Sequence, residues 1–116
     1  MDKPTPKERI EHVLQAIEWI RAYIKDSTIE SFQSNSQLQS AVLFQFLILG
    51  EAIRHIDDSI LSKYNYPWHI PRSFRNFIIH EYHGIKVARI YHACHDLSPL
   101  EMIMKTILKE NFLGQQ

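Results

Sequence analysis

The sequence predicts an all-α fold, a bundle of four or five helices. Apolar residues recur every three or four positions along most of the 116 residues, and no segment alternates with the period of a strand. Three segments, residues 5–8, 36–39 and 98–101, match the Ser/Thr-x-x-Glu/Gln pattern that caps helix N-termini. Proline follows the first residue of two of these segments, at a position where its missing N–H is not needed.

These signals place five helices along the chain. They span about residues 6–25, 37–61, 71–82 and 85–96, and from 98 to Phe112 or Leu113, before Gly114. The second helix is apolar around its circumference between residues 41 and 49, so we expect it to be central. Residues 26–35 are predicted to be a polar connection, and Gly84 a left-handed helix end.

Small residues in the second predicted helix indicate close packing. Gly50 and Ala52 allow another backbone to approach, either at a helix crossing or at a subunit contact. A second group of residues could resemble a ligand pocket, but aromatic and methionine residues at helical spacing more often belong to the core. That group comprises Trp19, Tyr23, Met102, Met104 and Phe112.

Length and composition favour one globular domain over residues 1–116, since 45% of the residues are hydrophobic and 22% are charged. The N-terminus lacks the apolar segment of a signal peptide, and residues 41–49 are shorter than the roughly 20 residues that cross a bilayer. We therefore expect a cytoplasmic protein without a membrane span. The single cysteine, Cys94, suits a reducing compartment and a packing role.

Charge is distributed unevenly although the formal net charge is zero. Residues 63–95 carry five basic residues against one acidic residue, Glu81, and hold five of the seven histidines. A net charge of zero argues against a protein that coats nucleic acid through bulk positive potential. The basic segment indicates either a region that handles anions or a solvated basic face.

The third predicted helix has two unlike sides. Phe74, Phe77 and Ile78 share the side expected to face the core, with Glu81 at its end. The opposite side is polar or basic except for one isoleucine, which is typical of a contact surface. It holds Arg72, Asn76, Ile79 and His83, flanked by Arg75 and His80.

Arg75 and His80 are five positions apart, which separates them by about 140° on a regular helix. They can converge if the helix unwinds near His80, or if two copies of the chain face each other across a two-fold axis. Together they suit RNA cleavage, in which the 2′-hydroxyl of the substrate is the nucleophile. His80 can transfer the proton, Arg75 can clamp the phosphate, and Asn76 can orient either group. Tyr82 can stack on a base.

The segment from Arg75 to Tyr82 resembles the Arg-x4-His-x-Tyr signature of HepT-like HEPN toxins. Further similarities are the Gly50-Glu51-Ala52 stretch, Trp68 before the motif, and residues 96–100, Asp-Leu-Ser-Pro-Leu. The resemblance implies a single HEPN-type domain and a metal-independent endoribonuclease without a cofactor. It also implies a homodimer with a composite site, in which Arg75, Asn76 and His80 are catalytic and Arg72, Tyr82 and His83 contact RNA.

The same resemblance implies a partner, the minimal nucleotidyltransferase antitoxin of a type VII-like toxin–antitoxin system, which can adenylylate Tyr82. Added phosphate would repel RNA from Arg75 and His80. Two positions depart from the family pattern. Glu81 stands where a small residue is usual, and Ile85-Lys86 follows Gly84, where an acidic residue is common shortly after the glycine. Glu81, beside the basic residues, predicts weak or substrate-selective activity.

Two alternatives to the enzyme stay open. Histidine pairs at 80/83 and 92/95, and the Glu51/His55 pair, have spacings that could suit a metal, although such pairs are common by chance and we predict no metal site. The other alternative is a non-catalytic helical module, which docks a nucleotidyltransferase or nucleic acid through residues 75–83. Substituting Arg75 or His80 should stop cleavage in an enzyme but weaken partner binding in a docking module.

Overall fold

A computed structural model describes residues 3–112 of the chain as an all-α fold, as predicted. These residues form eight α-helices and one 3-10 turn, and no strand. The helices are α1 (Pro6–Ile24), α2 (Ile29–Gln33), α3 (Ser36–Arg54), α4 (Asp58–Leu61), α5 (His69–Arg72), α6 (Phe74–Glu81), α7 (Val87–Cys94) and α8 (Ser98–Phe112). The 3-10 turn, Tyr82–Gly84, lies between α6 and α7. The expected positions Leu113 and Gly114 lie outside the described residues.

The first helix begins as its sequence predicts. The Glu8 amide donates to Thr5 Oγ1 at 3.1 Å, and the Thr5 amide donates to Glu8 Oε1 at 2.8 Å. The hydrogen bond from the Thr5 amide is the main reason that the pKa of the Glu8 carboxyl is lowered. Along α1 the inward residues recur at helical spacing and include Ile10, Val13 and Ile17, all fully buried. Local capping and burial therefore agree over the whole helix.

The central position of α3 is also confirmed, because α3 packs against α1, α2, α5, α6 and α7. It is long and apolar enough to cross a membrane by length and composition, as the core helix of a globular protein also can be. Its predicted capping box is wrong. Asn35 accepts from the Leu38 amide at 3.0 Å, while the Gln39 side chain donates to the Phe32 carbonyl at 2.8 Å. Asn35 is therefore the N-cap, one residue earlier than expected.

The second predicted helix ends earlier than expected, at Arg54 instead of residue 61. Asp57 starts a separate helix, α4, by accepting from the Ser59 amide at 3.0 Å. The hydrogen bond from the Ser59 amide lowers the pKa of the Asp57 carboxyl. An aspartate that binds the backbone locally competes with helix continuation, and here it ends the long helix.

The polar connection predicted for residues 26–35 contains a helix, α2. Thr28 and Ser31 form a capping box of their own, with bonds of 3.1 Å and 2.9 Å. The turn is held by Phe32, which is fully buried and packs on Tyr91 with ring centroids 5.4 Å apart. One buried aromatic residue is enough to order a segment that is otherwise polar.

The last helix, α8, uses its first residues differently from the prediction. The Ser98 hydroxyl accepts from Arg21 at 3.1 Å, and Glu101 pairs with Arg21 at 2.7 Å instead of closing a capping box. The Arg21 bond lowers the pKa of Glu101. Of the aromatic and methionine residues expected in the core, Met104 and Phe112 are buried, whereas Trp19 and Met102 are exposed. The core expectation is wrong for those two.

Candidate functional site

The predicted third helix is two helices, α5 and α6, which meet at Ser73 and cross α3 at Gly50. A Cβ atom at Gly50 would lie 2.7 Å from the Pro71 carbonyl oxygen and 2.8 Å from Phe74 Cβ. The close approach expected at Gly50 is therefore a helix crossing within the chain. It brings the first turn of α6 against the middle of α3.

Glu51, the residue after Gly50, holds two side chains. Its Oε2 atom lies 3.6 Å from Arg75 Nε, and its Oε1 atom lies 2.6 Å from His55 Nε2. Oε2 is shielded from solvent and has no hydrogen-bond partner among residues 3–112, so the guanidinium is its nearest compensating charge. Because the contact is to Nε, the two terminal nitrogens of Arg75 stay available for a phosphate.

The motif face, which we define as Asn76, Ile79, His80 and His83, is exposed to solvent. Ile79 has 52% of its surface exposed. Within the part of the chain that the structure describes, the Asn76 and His80 side chains have no hydrogen-bond or ion-pair partner. Polar groups without partners beside an exposed isoleucine are free to bind a second molecule.

Arg75 and His80 do not converge through local unwinding, because α6 is α-helical through Glu81 and the 3-10 turn begins only at Tyr82. The separation of about 140° between the two side chains therefore holds within one chain. Gly84 is not left-handed, since no described glycine has a positive φ. The predicted helix end is wrong because the chain leaves α6 through the 3-10 turn.

Arg72 and Tyr82, both expected to contact substrate, have partners of their own. Arg72 forms an ion pair with Asp58, which ties α5 to α4. The Tyr82 hydroxyl lies 3.4 Å from Ser40 Oγ on α3, and its ring meets that of His83 edge-on at 5.2 Å. Tyr82 nevertheless has 47% of its surface exposed. About half of Tyr82 is therefore open to a second molecule, whereas the Arg72 guanidinium is engaged.

Three partners in this region were not predicted from the sequence: Glu51 for Arg75, Ser40 for Tyr82 and Asp58 for Arg72. All three come from α3 or α4, distant in sequence from the motif, so spacing along the chain could not reveal them. Only the contact between Glu51 and His55 could have been read from the sequence, as an i,i+4 pair.

The metal alternatives can be located as well. Glu51 contacts both His55 and Arg75, and no group of three potential metal ligands forms in the described chain. Cys94 is buried as expected, and burial raises the pKa of its thiol to about 12. A thiol held in its protonated form is a poor nucleophile, which fits the expected packing role.

The chain is similar to several known proteins. A protein of Methanocaldococcus jannaschii, named a gamma-glutamylcyclotransferase and provisionally an RNase, is 36% identical over 77 residues, covering 66% of this chain and 35% of that protein. The chain thus spans about a third of that relative. A protein of Caldanaerobacter subterraneus subsp. tengcongensis, provisionally named an RNase, is 29% identical over 108 residues, covering 91% of this chain and 96% of that protein.

A third relative, named a probable ribonuclease HepT, comes from Thermococcus cleftensis and is 29% identical over 86 residues, covering 73% of this chain and 78% of that protein. No solved structure matches the chain. A model of the ribonuclease HepT-like family matches residues 13–107, from the first turns of α1 to the middle of α8. Because the match includes every helix around the motif face, this chain belongs to the HepT-like ribonuclease family.

Proposed function

We propose that the protein is a metal-independent endoribonuclease that acts as a toxin in the cytoplasm. The observation that carries this proposal is the state of α6: Asn76 and His80 are exposed without partners, and Glu51 holds Arg75 by Nε alone. These are the groups needed to position a phosphodiester and transfer a proton. Membership of a ribonuclease family supports RNA as the substrate.

In the proposed reaction the 2′-hydroxyl of RNA attacks the adjacent phosphorus while a His80 imidazole accepts its proton. The bond from phosphorus to the 5′-oxygen breaks, and that oxygen receives a proton. The products are a 2′,3′-cyclic phosphate and a 5′-hydroxyl, with no net gain or loss of protons. Arg75 donates to the phosphate oxygens and stabilises the charge that builds on them.

The site requires two copies of the chain. Since Arg75 and His80 point about 140° apart on one α6 helix, we place Arg75 of one copy opposite His80 of the other in a homodimer. The exposed Ile79 supports this arrangement, because it offers apolar surface beside the polar groups.

Substituting the two motif residues tests both parts of the proposal. In excess chelator, Arg75→Ala or His80→Ala should each lower RNA cleavage at least about 100-fold, whereas His12→Ala, at an exposed histidine on α1, should not. Mixing the two inactive variants should restore activity, to at most about a quarter of the wild-type value, because one composite site of a mixed dimer is intact. Intact RNA with wild-type protein would refute the enzyme and favour a docking module, whereas full activity in either variant would refute the assigned catalytic residues.

We further propose that a cognate minimal nucleotidyltransferase neutralises the toxin at Tyr82. The phenol oxygen would attack the α-phosphorus of ATP and release pyrophosphate, which leaves an adenylyl phosphate beside the motif face. The exposed position of Tyr82, next to the motif face, supports this assignment. With that enzyme and ATP present, cleavage by the wild type should be inhibited far more than cleavage by Tyr82→Phe, while Tyr23→Phe should be inhibited like the wild type. Equal inhibition of all three would place the modification elsewhere.

A further inference from the structure

A second candidate site lies beside the motif face. A cavity of about 470 Å³ opens between α3, α6 and α7, and we call it the α6–α7 pocket. Its inner wall is apolar and includes three phenylalanines, Phe46, Phe74 and Phe77, the first two packed edge-on with centroids 5.6 Å apart. Phe77 was expected in the core, but 48% of its surface is exposed, and it lines this pocket. The volume of the pocket falls within the usual range for small-molecule sites.

Three charged residues line this pocket, Glu81, Lys86 and Arg89. The first two are the positions at which the sequence departs from the family pattern. None of these three side chains has an ion-pair or hydrogen-bond partner among residues 3–112. The Glu81 carboxylate lies over the 3-10 turn, with Oε2 only 3.9 Å from where a Cβ atom of Gly84 would be. The pocket thus combines an aromatic wall, one free carboxylate and two free cations.

We propose that the α6–α7 pocket binds a guanine base of the RNA substrate, next to the bond that is cut. A flat apolar site with aromatic walls suits a base removed from its stack. An ionised carboxylate only accepts hydrogen bonds, and guanine is the base whose Watson–Crick edge presents two adjacent donors, N1–H and the N2 amino group. Lys86 and Arg89 are placed to hold the phosphate of that nucleotide.

The position of the pocket links it to the proposed reaction. Phe77 precedes His80 by three residues, so their side chains are neighbours on the surface of α6, about 5–6 Å apart at Cβ. A single nucleotide spans that separation. A guanine in the pocket would therefore bring an adjoining phosphodiester to His80, and cleavage would occur beside guanines. This inference rests on the proposed function only in taking RNA as the substrate.

Nucleotide binding tests the pocket without requiring cleavage. Guanosine, adenosine, cytidine and uridine 5′-monophosphates are titrated into the full chain while amide resonances of Phe77, Gly84 and Ile85 are followed by NMR. Guanosine monophosphate should shift them at a concentration at least about tenfold lower than the other three, and Glu81→Gln should remove that advantage. Glu18→Gln, at an exposed carboxylate on α1, should keep it.

The cleavage pattern gives a second readout. In oligoribonucleotides that differ at one base, cleavage next to guanine should exceed cleavage next to adenine at least about tenfold, and Glu81→Gln should lower that ratio by a similar factor. Equal binding of all four nucleotides overturns the pocket, whether or not RNA is cut. The absence of any shift of these three resonances with guanosine monophosphate overturns it as well. Selective guanosine binding without RNA cleavage supports the pocket and refutes the ribonuclease.

Discussion

The layer built from α1, α3 and α8 and the segment from α5 to the 3-10 turn are stabilised in different ways. In the first, long helices bury one residue after another, as with Ile17, Leu49 and Ile107, all fully buried. In the second, short helices expose most of their surface, and of the residues in α6 only Ile78 is buried. The motif segment is positioned by contacts with α3, at Gly50, Glu51, Ser40 and Phe46, and by the ion pair between Arg72 and Asp58 of α4. The proposed site lies where the chain leaves polar side chains without partners among the described residues.

A matched pair of substitutions measures this difference most directly. Ile17→Ala should lower the free energy of unfolding by about 2–5 kcal/mol, because it leaves a cavity among fully buried neighbours. Ile79→Ala, on the exposed motif face, should change it by no more than about 0.5 kcal/mol when the protein is dilute enough to be monomeric, and by more at concentrations where the proposed homodimer forms. Urea denaturation followed by circular dichroism gives both values. A loss at Ile79 as large as that at Ile17, and growing with protein concentration, would show that this side chain is buried against another molecule.

The two regions also differ in how much the sequence could predict. The boundaries of α1 and the central position of α3 follow from uninterrupted apolar spacing, which burial in the structure matches. The short helices α2, α4 and α5 have too few turns to show a helical repeat of apolar residues. They depend on single features, such as the burial of Phe32 or the cap at Asp57. Sequence periodicity therefore predicted the scaffold better than the segment that carries the motif.

A similar limit applies to the candidate site. The identity of Arg75, His80 and Tyr82 as candidates came from their chemistry, their place on one helix and the family signature. The partners of Arg75 and Tyr82 lie on α3, and whether Glu51 reaches Arg75 depends on how closely two helices cross. The sequence hinted at that crossing through Gly50, but it left open whether the approaching backbone belonged to the same chain.

Two glycine substitutions test how the regions are joined. Gly50→Ala should lower stability by about 1–3 kcal/mol, because the added Cβ would meet the Pro71 carbonyl oxygen and Phe74 Cβ below 3 Å. Relief requires α5 and α6 to move away from α3, so RNA cleavage should fall as well. Gly84→Ala is the control, since its Cβ would make only an ordinary contact, 3.9 Å from Glu81 Oε2, and its φ is not positive, so stability should change by no more than about 0.5 kcal/mol. Unchanged stability in Gly50→Ala would mean that α6 is not held against α3 there.

The smallest expected effect concerns the charge that joins the two regions. Glu51→Gln keeps the size of the side chain but removes the carboxylate that faces Arg75 Nε. The guanidinium should then sample more orientations, and kcat for RNA cleavage should fall about tenfold, equivalent to roughly 1.4 kcal/mol of transition-state stabilisation, with KM changing less. His55→Gln, which leaves the contact between Glu51 and Arg75 in place, should have a smaller effect. Because Glu51 contacts Nε and leaves the terminal nitrogens free, we expect it to orient Arg75 and not to compete with the phosphate. Faster cleavage by Glu51→Gln would contradict this interpretation, since it would mean that the carboxylate holds Arg75 back from the RNA.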